Sequence, residues 1–150
     1  MSAPTGLSGT VLGFDFGTKR VGIAVGETAT GIASPLLAIE GEATAPRFAA
    51  IARVVDEWKP VAFVVGRPRH SDGSEHAVAL LAEKFARRLR ERHRLPVVFV
   101  DETLSSATAE SELRGRRTRA ARRSDLDVMA ATLILQSFLD APADHELLAS

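Results

Sequence analysis

Three acidic positions stand where a carboxylate is either costly or useful. Asp15 lies inside LGFDFGTKRVG (12–22), a run that reads as a buried strand. In a pleated strand Leu12, Phe14 and Phe16 share one side, and Val11, Gly13 and Asp15 share the other. An ionised carboxylate on a dry face costs several kcal/mol unless it is paired, hydrogen-bonded or metal-bound. The plainer reading puts Asp15 at the mouth of a turn, where it accepts backbone N–H bonds. Asp101 and Glu102 stand at the carboxyl end of PVVFVD (96–101), the edge where open α/β sheets gather ligands. A solvated strand end leading into a helix capped by Ser105 or Ser106 is the plainer reading there. Asp127 opens the last helical pattern, and Ser124-Asp125-Leu126-Asp127 has the S-x-x-D form of a capping box. Ala130 and Ala131 follow it, small enough to let that helix approach a sheet closely and bring Asp127 toward Asp15.

Three carboxylates gathered from a first strand, a later strand end and a final helix would repel one another. Divalent cations resolve that conflict, and magnesium is held by one or two carboxylates together with substrate phosphate. Two such ions about 3.5–4 Å apart suit phosphodiester cleavage. The cations needed to grip a phosphate backbone are present. Five arginines lie in RRLRERHR (87–94) and six in RGRRTRAARR (114–123), eleven of nineteen basic residues, although the chain's formal charge is zero. RRLRERHR lies on the exposed side of an amphipathic pattern and reads as a solvated face. RGRRTRAARR, with Gly115 and few large apolar groups, reads as a mobile loop just before Asp127.

The elements that must position these residues follow from periodicity. VLGFDF (11–16) and RVGIAVG (20–26) are strands joined by Gly17-Thr18-Lys19, a hairpin-length turn, and GIASPLLAIE (31–40) is a third strand whose Pro35 favours an edge. Phe48, Ile51, Val55 and Trp58 recur at helical spacing before Pro60. VAFVVG (61–66) is continuously apolar, as in a strand buried on both faces. Val78, Leu81, Phe85 and Leu89 mark one face of a second helix, PVVFVD is the next strand, and a short helix is expected near 105–113. A last helix, about 125–140, is apolar nearly all round, and Ala141 to Ser150 reads as a loosely held tail. The order β-β-β-α-β-α-β-α-α gives an α/β fold, a mixed sheet with helices on both faces.

Length and composition narrow the function classes. One hundred and fifty residues with 45% hydrophobic content fit one domain, expected to have its core over about 11–140 and flexible termini. There is no cysteine, hence no disulfide or Cys-based zinc site, and the four histidines lack HExxH spacing. The first dozen residues lack a signal-peptide pattern and no stretch is long enough to span a bilayer, so a soluble cytoplasmic protein with no membrane partner is expected.

FDFGTKRVGIAV, VVGRPRHSDGSE, VDETLSS and DVMAATLILQ, in that order and spacing, resemble the four motifs of the YqgF family of ribonuclease H-like nucleases. The resemblance runs from about Val11 to Asp140. Its members are described as Holliday junction resolvases and as nucleases that process the 5′ end of pre-16S ribosomal RNA. It implies a ribonuclease H-like fold with a five-stranded sheet in the order 3-2-1-4-5. It also implies an acidic set of Asp15, Glu102 and Asp127, which would be both catalytic and the ligands of Mg²⁺ or Mn²⁺. In that order PVVFVD lies one strand beyond VAFVVG, so Glu102 must reach across, and its extra methylene relative to Asp101 suits the reach; Asp72 is a further candidate. Lys19, Arg20, Arg67, Arg69, Arg114, Arg116, Arg117 and Arg119 would position substrate phosphates. The chain departs from the family at 67–71, where Arg67-Pro68-Arg69-His70-Ser71 replaces the usual L-P-L-N-M. The partner implied is nucleic acid, pre-ribosomal RNA ahead of branched DNA, with the protein a monomer or homodimer.

Two other readings fit parts of the pattern. D-x-G-T also resembles the first phosphate loop of the actin and sugar-kinase ATPases, whose enzymes close two such domains around ATP; here there is no second such loop and no Walker A spacing. A non-catalytic nucleic-acid or ribosome-binding module would keep the arginines without turnover. If the 114–123 arginines clamp a phosphate backbone, replacing Arg116, Arg117 and Arg119 together by alanine weakens RNA binding and flattens its salt dependence. An unchanged salt slope would move the basic footprint to the 87–94 face.

Overall fold

The computed structural model describes residues 8–67, 73–101, 119–142 and 146–147. Its strands are β1 (Thr10–Phe16), β2 (Arg20–Glu27), β3 (Ile32–Glu40), β4 (Ala62–Arg67), β5 (Val97–Asp101) and β6 (Glu146–Leu147). Its helices are α1 (Thr44–Trp58), α2 (Gly73–His93) and α3 (Arg119–Asp140). The sheet order is β3-β2-β1-β4-β5-β6, the expected 3-2-1-4-5 with one short strand added. β1 is antiparallel to β2 and parallel to β4, and β4 is parallel to β5, so the sheet is mixed.

The alternation read from the sequence sorts the side chains onto two dry faces. Leu12, Phe14, Phe63, Val65 and Phe99 pack with Phe48, Ile51 and Val54 of α1 and with Phe85 and Leu89 of α2. Phe85 is the hub, with ring centroids 5.7 Å from Phe14, 5.2 Å from Phe16 and 5.5 Å from Phe48. On the other face Val11, Ala24, Val64, Val98 and Val100 pack against Ala131, Ile134, Leu135 and Phe138 of α3. Burying these aliphatic and aromatic groups on both sides drives the sandwich together.

Several boundaries differ from the expectations. α3 begins at Arg119, not near 125, because Ala120, Ala121, Arg122 and Arg123 are good helix formers with no breaker among them. The latter part of RGRRTRAARR is therefore helix, not loop. Asp127 consequently sits inside the helix and is not the N3 residue of a cap. The buried stripe of α2 is Ala82, Phe85, Ala86 and Leu89, while Leu81 is 42% exposed, because alanines let the helix lie closer to the sheet than a leucine stripe would. α1 buries Val54 as well, with Val55 partly buried against the core as expected and Trp58 36% exposed. Part of the stretch read as a tail pairs instead with the free edge of β5, Leu147 opposite Val98 and Glu146 opposite Phe99. Pro35 does lie on an edge strand, beside a register shift between Ile23 and Ala24 of β2. The short helix expected near 105–113 lies outside the described residues.

Two glycines set how close α3 comes. A Cβ on Gly13 would stand 2.7 Å from Leu135 Cβ, and one on Gly22 would run into the Asp127 carbonyl. The latter obstacle is backbone and cannot rotate away, so only glycine fits beneath this point of the helix. Gly22→Ala is expected to destabilise the fold by about 1–3 kcal/mol through overpacking, read as a lower urea midpoint. An unchanged midpoint would mean that α3 does not rest on Gly22.

Candidate active site

β1 and β2 bring the first carboxylate under the last helix. Asp15 is paired in register with Gly22, and Gly22 lies directly beneath the Asp127 backbone. Asp15 has the parity of Val11 and Gly13, whose face is covered by α3. Both carboxylate residues therefore belong to one layer, between sheet and α3, and both are partly buried.

Arg20 enters the same layer from the start of β2. Its Nη1 donates to Asp127 Oδ2 at 3.5 Å and its Nε to Glu40 Oε1 at 3.4 Å. Glu40 is its cross-strand partner on β3. Long, partly exposed pairs of this kind hold a side chain in place more than they stabilise. Burial pushes the Asp127 carboxyl above its ordinary value of 3.8, Arg20 pulls it back through its charge and hydrogen bond, and Glu40 pushes it up again. Desolvation wins, so Arg20 compensates the buried charge incompletely.

Lys19 is exposed in the turn beside Arg20, and its carbonyl accepts from Gly41 N at 2.8 Å. Arg67 is placed elsewhere. It lies over the Phe99 ring, 4.5 Å from the centroid, with Nη1 3.5 Å from Glu83 and Nε 3.6 Å from Asp101. These neighbours belong to the α1/α2 face, so Arg67 is packed there and is not gathered with Asp15 and Asp127. Asp101 shares its face. Glu102, Asp72, Arg69, Arg114, Arg116 and Arg117 lie outside the described residues, as does the Arg119 side chain at the start of α3.

Two features escaped the sequence reading. Gly22 was read only as a strand residue, although a glycine three residues beyond the turn is what admits α3. Arg47 was not singled out, yet it is 6% exposed and its Nη2 donates to the carbonyls of Thr18 at 3.0 Å and Gly41 at 2.6 Å. It clamps the β1–β2 turn that carries Lys19 and Arg20. No signal in the sequence separates it from the other surface arginines.

Among the described residues no group of three metal-type ligands is assembled. Asp15 and Asp127 are nonetheless hard oxygen donors in one layer, and the incompletely compensated Asp127 is what a divalent cation would satisfy. The sign of the shift gives a test without metal. A carboxyl with a raised folded-state pKa favours folding below its unfolded value and loses that advantage as pH rises through the folded value. In EDTA at neutral pH, Asp127→Asn should therefore raise the denaturation midpoint, with the gain disappearing toward pH 4. Superimposed stability curves would show that Asp127 carries no burial penalty.

Residues 9–141 match the RuvX family, described as Holliday junction resolvase. A Thiobacillus denitrificans protein named "Putative pre-16S rRNA nuclease" is 52% identical over 134 residues, 89% of this chain and 92% of its own. A Neisseria gonorrhoeae protein of the same name is 48% identical over 138 residues, 91% of each chain. T. thermophilus RuvC in complex with a Holliday junction substrate superposes with a TM-score of 0.55 at 15% identity, covering 93% of this chain and 99% of that one. Fowlpox virus resolvase with Holliday junction DNA gives 0.51 at 12%, covering 90% and 99%. At such identities the two structures speak for the fold alone, which is ribonuclease H-like. From its match over nearly the whole length and its relatives at about half identity, the chain belongs to the RuvX (YqgF) family.

Proposed function

We propose that the protein is a metal-dependent nuclease that hydrolyses phosphodiester bonds in structured nucleic acid, processing the 5′ end of pre-16S ribosomal RNA in the cytoplasm. The observation that carries this reading is the convergence of Asp15 and Asp127 in one partly buried layer through Gly22. The names of the relatives favour pre-ribosomal RNA over four-way DNA junctions. No helix among the described residues is long and apolar enough to cross a membrane.

Asp15 and Asp127 would hold one or two Mg²⁺ or Mn²⁺ ions. Asp101 lies 3.6 Å from Arg67 on the α1/α2 face, and Glu102 would be the third carboxylate. The bound metal would supply an activated water and charge stabilisation at the scissile phosphate. Lys19, exposed on the clamped turn, would orient a phosphate beside the acids, and Arg20 would keep Asp127 directed into the layer. Arg69, Arg114, Arg116, Arg117 and Arg119 would contact the phosphate backbone. No histidine is required as a base in this scheme.

Labelled precursor RNA and a four-way junction, each incubated with and without Mn²⁺ beside Asp15→Asn, test the proposal. RNA cleavage that needs Mn²⁺ and falls at least about a hundredfold in the variant is expected, the scale of losing a group that acts in the transition state. Cleavage surviving EDTA or the substitution would overturn it. Hydrolysis of ATP with neither nucleic acid cut would favour the phosphate-loop reading instead.

A further inference from the structure

On the sheet face opposite Asp15, a cleft of about 280 Å³ opens between α1, α2 and the β1–β2 turn. Its cations are Arg47, Lys84 and Arg88, against the single carboxylate of Glu42. Its apolar wall includes Phe16, Phe48 and Phe85. Asp15 and Asp127 do not line it.

Arg47 is the unusual member. A guanidinium presents five N–H donors, and this one is 6% exposed. Nη2 serves the Thr18 and Gly41 carbonyls, Nε is buried without a partner, and Nη1 has no hydrogen-bond partner among the described residues. Burial lowers its pKa, with Glu42 offsetting that in part, so the cation lacks full compensation where it stands. A buried donor left unmade is expensive, and in a native fold it calls for an explanation such as a water or ion that completes it.

The backbone adds a second, independent argument. α1 starts at this cleft with Thr44, and its N-cap Ala43 makes no side-chain capping bond. The first turn contains no acidic residue. The N–H groups of Thr44 and Ala45 thus lack an intrahelical acceptor, and the positive end of a fifteen-residue helix dipole faces the same space. Arg88 Nη1 lies 3.5 Å from Thr44 Oγ1, which keeps that cation at the helix start. A helix N-terminus, a buried fork with spare donors and two outer cations together suit a phosphate dianion.

We infer that this cleft is a second anion site, separate from the proposed catalytic layer, that takes the phosphate of a nucleotide on Arg47, Lys84 and Arg88 with its nucleoside against Phe16, the partly exposed member of the aromatic wall. The volume suits one nucleotide and not a stretch of duplex. Because Arg47 also holds the Thr18 carbonyl, an occupant would stiffen the turn that carries Lys19 and Arg20. The nucleotide's phosphate can come from a free mononucleotide or from a flanking residue of a bound strand, and the experiment separates these sources.

Binding of inorganic phosphate, AMP and a short single-stranded RNA is measured by calorimetry in EDTA, so that hydrolysis plays no part and failure of the nuclease proposal does not affect the result. The variants are Lys84→Ala/Arg88→Ala and, as a charge-matched control, Arg53→Ala/Arg87→Ala, whose side chains are exposed and do not line the cleft. AMP binding weakened about tenfold or more in the first variant and unchanged in the control supports a free nucleotide, the scale of one lost charge-assisted hydrogen bond. The same selective loss seen with the oligonucleotide alone supports a strand residue. No binding of any probe, or equal effects in both variants, would overturn the site.

Discussion

The seating of α3 on β2 is the constraint from which the rest of the site follows. Helices and sheets normally stay apart by the thickness of their side chains. Here Gly22 removes that thickness at one point, and Asp127 comes down over the strand position paired with Asp15. Ala131, fully buried, and Gly13, against Leu135, continue the close contact along the same face. Two acids separated by more than a hundred residues thereby enter one layer. Burial of the Asp127 carboxylate costs energy that Arg20 only partly returns, a strain of the kind proteins retain at functional sites.

The short turn between β1 and β2 connects the two faces of the sheet. On the α3 side it leads into Arg20 and its pair with Asp127. On the α1/α2 side it is held by Arg47, which also lines the cleft beneath α1. Phe14 and Phe16, interleaved with Asp15 in the same strand, anchor that second face through Phe85. One strand thus presents an acid to one layer and an aromatic wall to the other, as a period of two residues requires.

Much of this was legible in the sequence because period and punctuation carry it. The hairpin, the apolar runs of β4 and β5 and the edge placement of Pro35 follow from local pattern, and the two-faced burial of β1 gave Asp15 its meaning. What escaped is what depends on distance between elements. Gly22 carries no local sign that a helix backbone will rest on it, and Arg47 looks like any basic residue in a first helical turn. The capping-box reading of Ser124 to Asp127 failed because four residues upstream of it also favour helix and extend α3. β6 is too short to show a period, and only the free edge of β5 explains it. Nothing local showed that Arg67 would lie over the Phe99 ring beside Glu83 and Asp101.

The central claim is that Asp15 and Asp127 form one divalent-cation site. Anomalous diffraction from a crystal of the protein grown with Mn²⁺ tests it most directly. The account predicts a manganese peak within coordination distance of both carboxylates, about 2.0–2.3 Å from their oxygens. Manganese bound elsewhere, with Asp15 and Asp127 held only by protein groups, would contradict it.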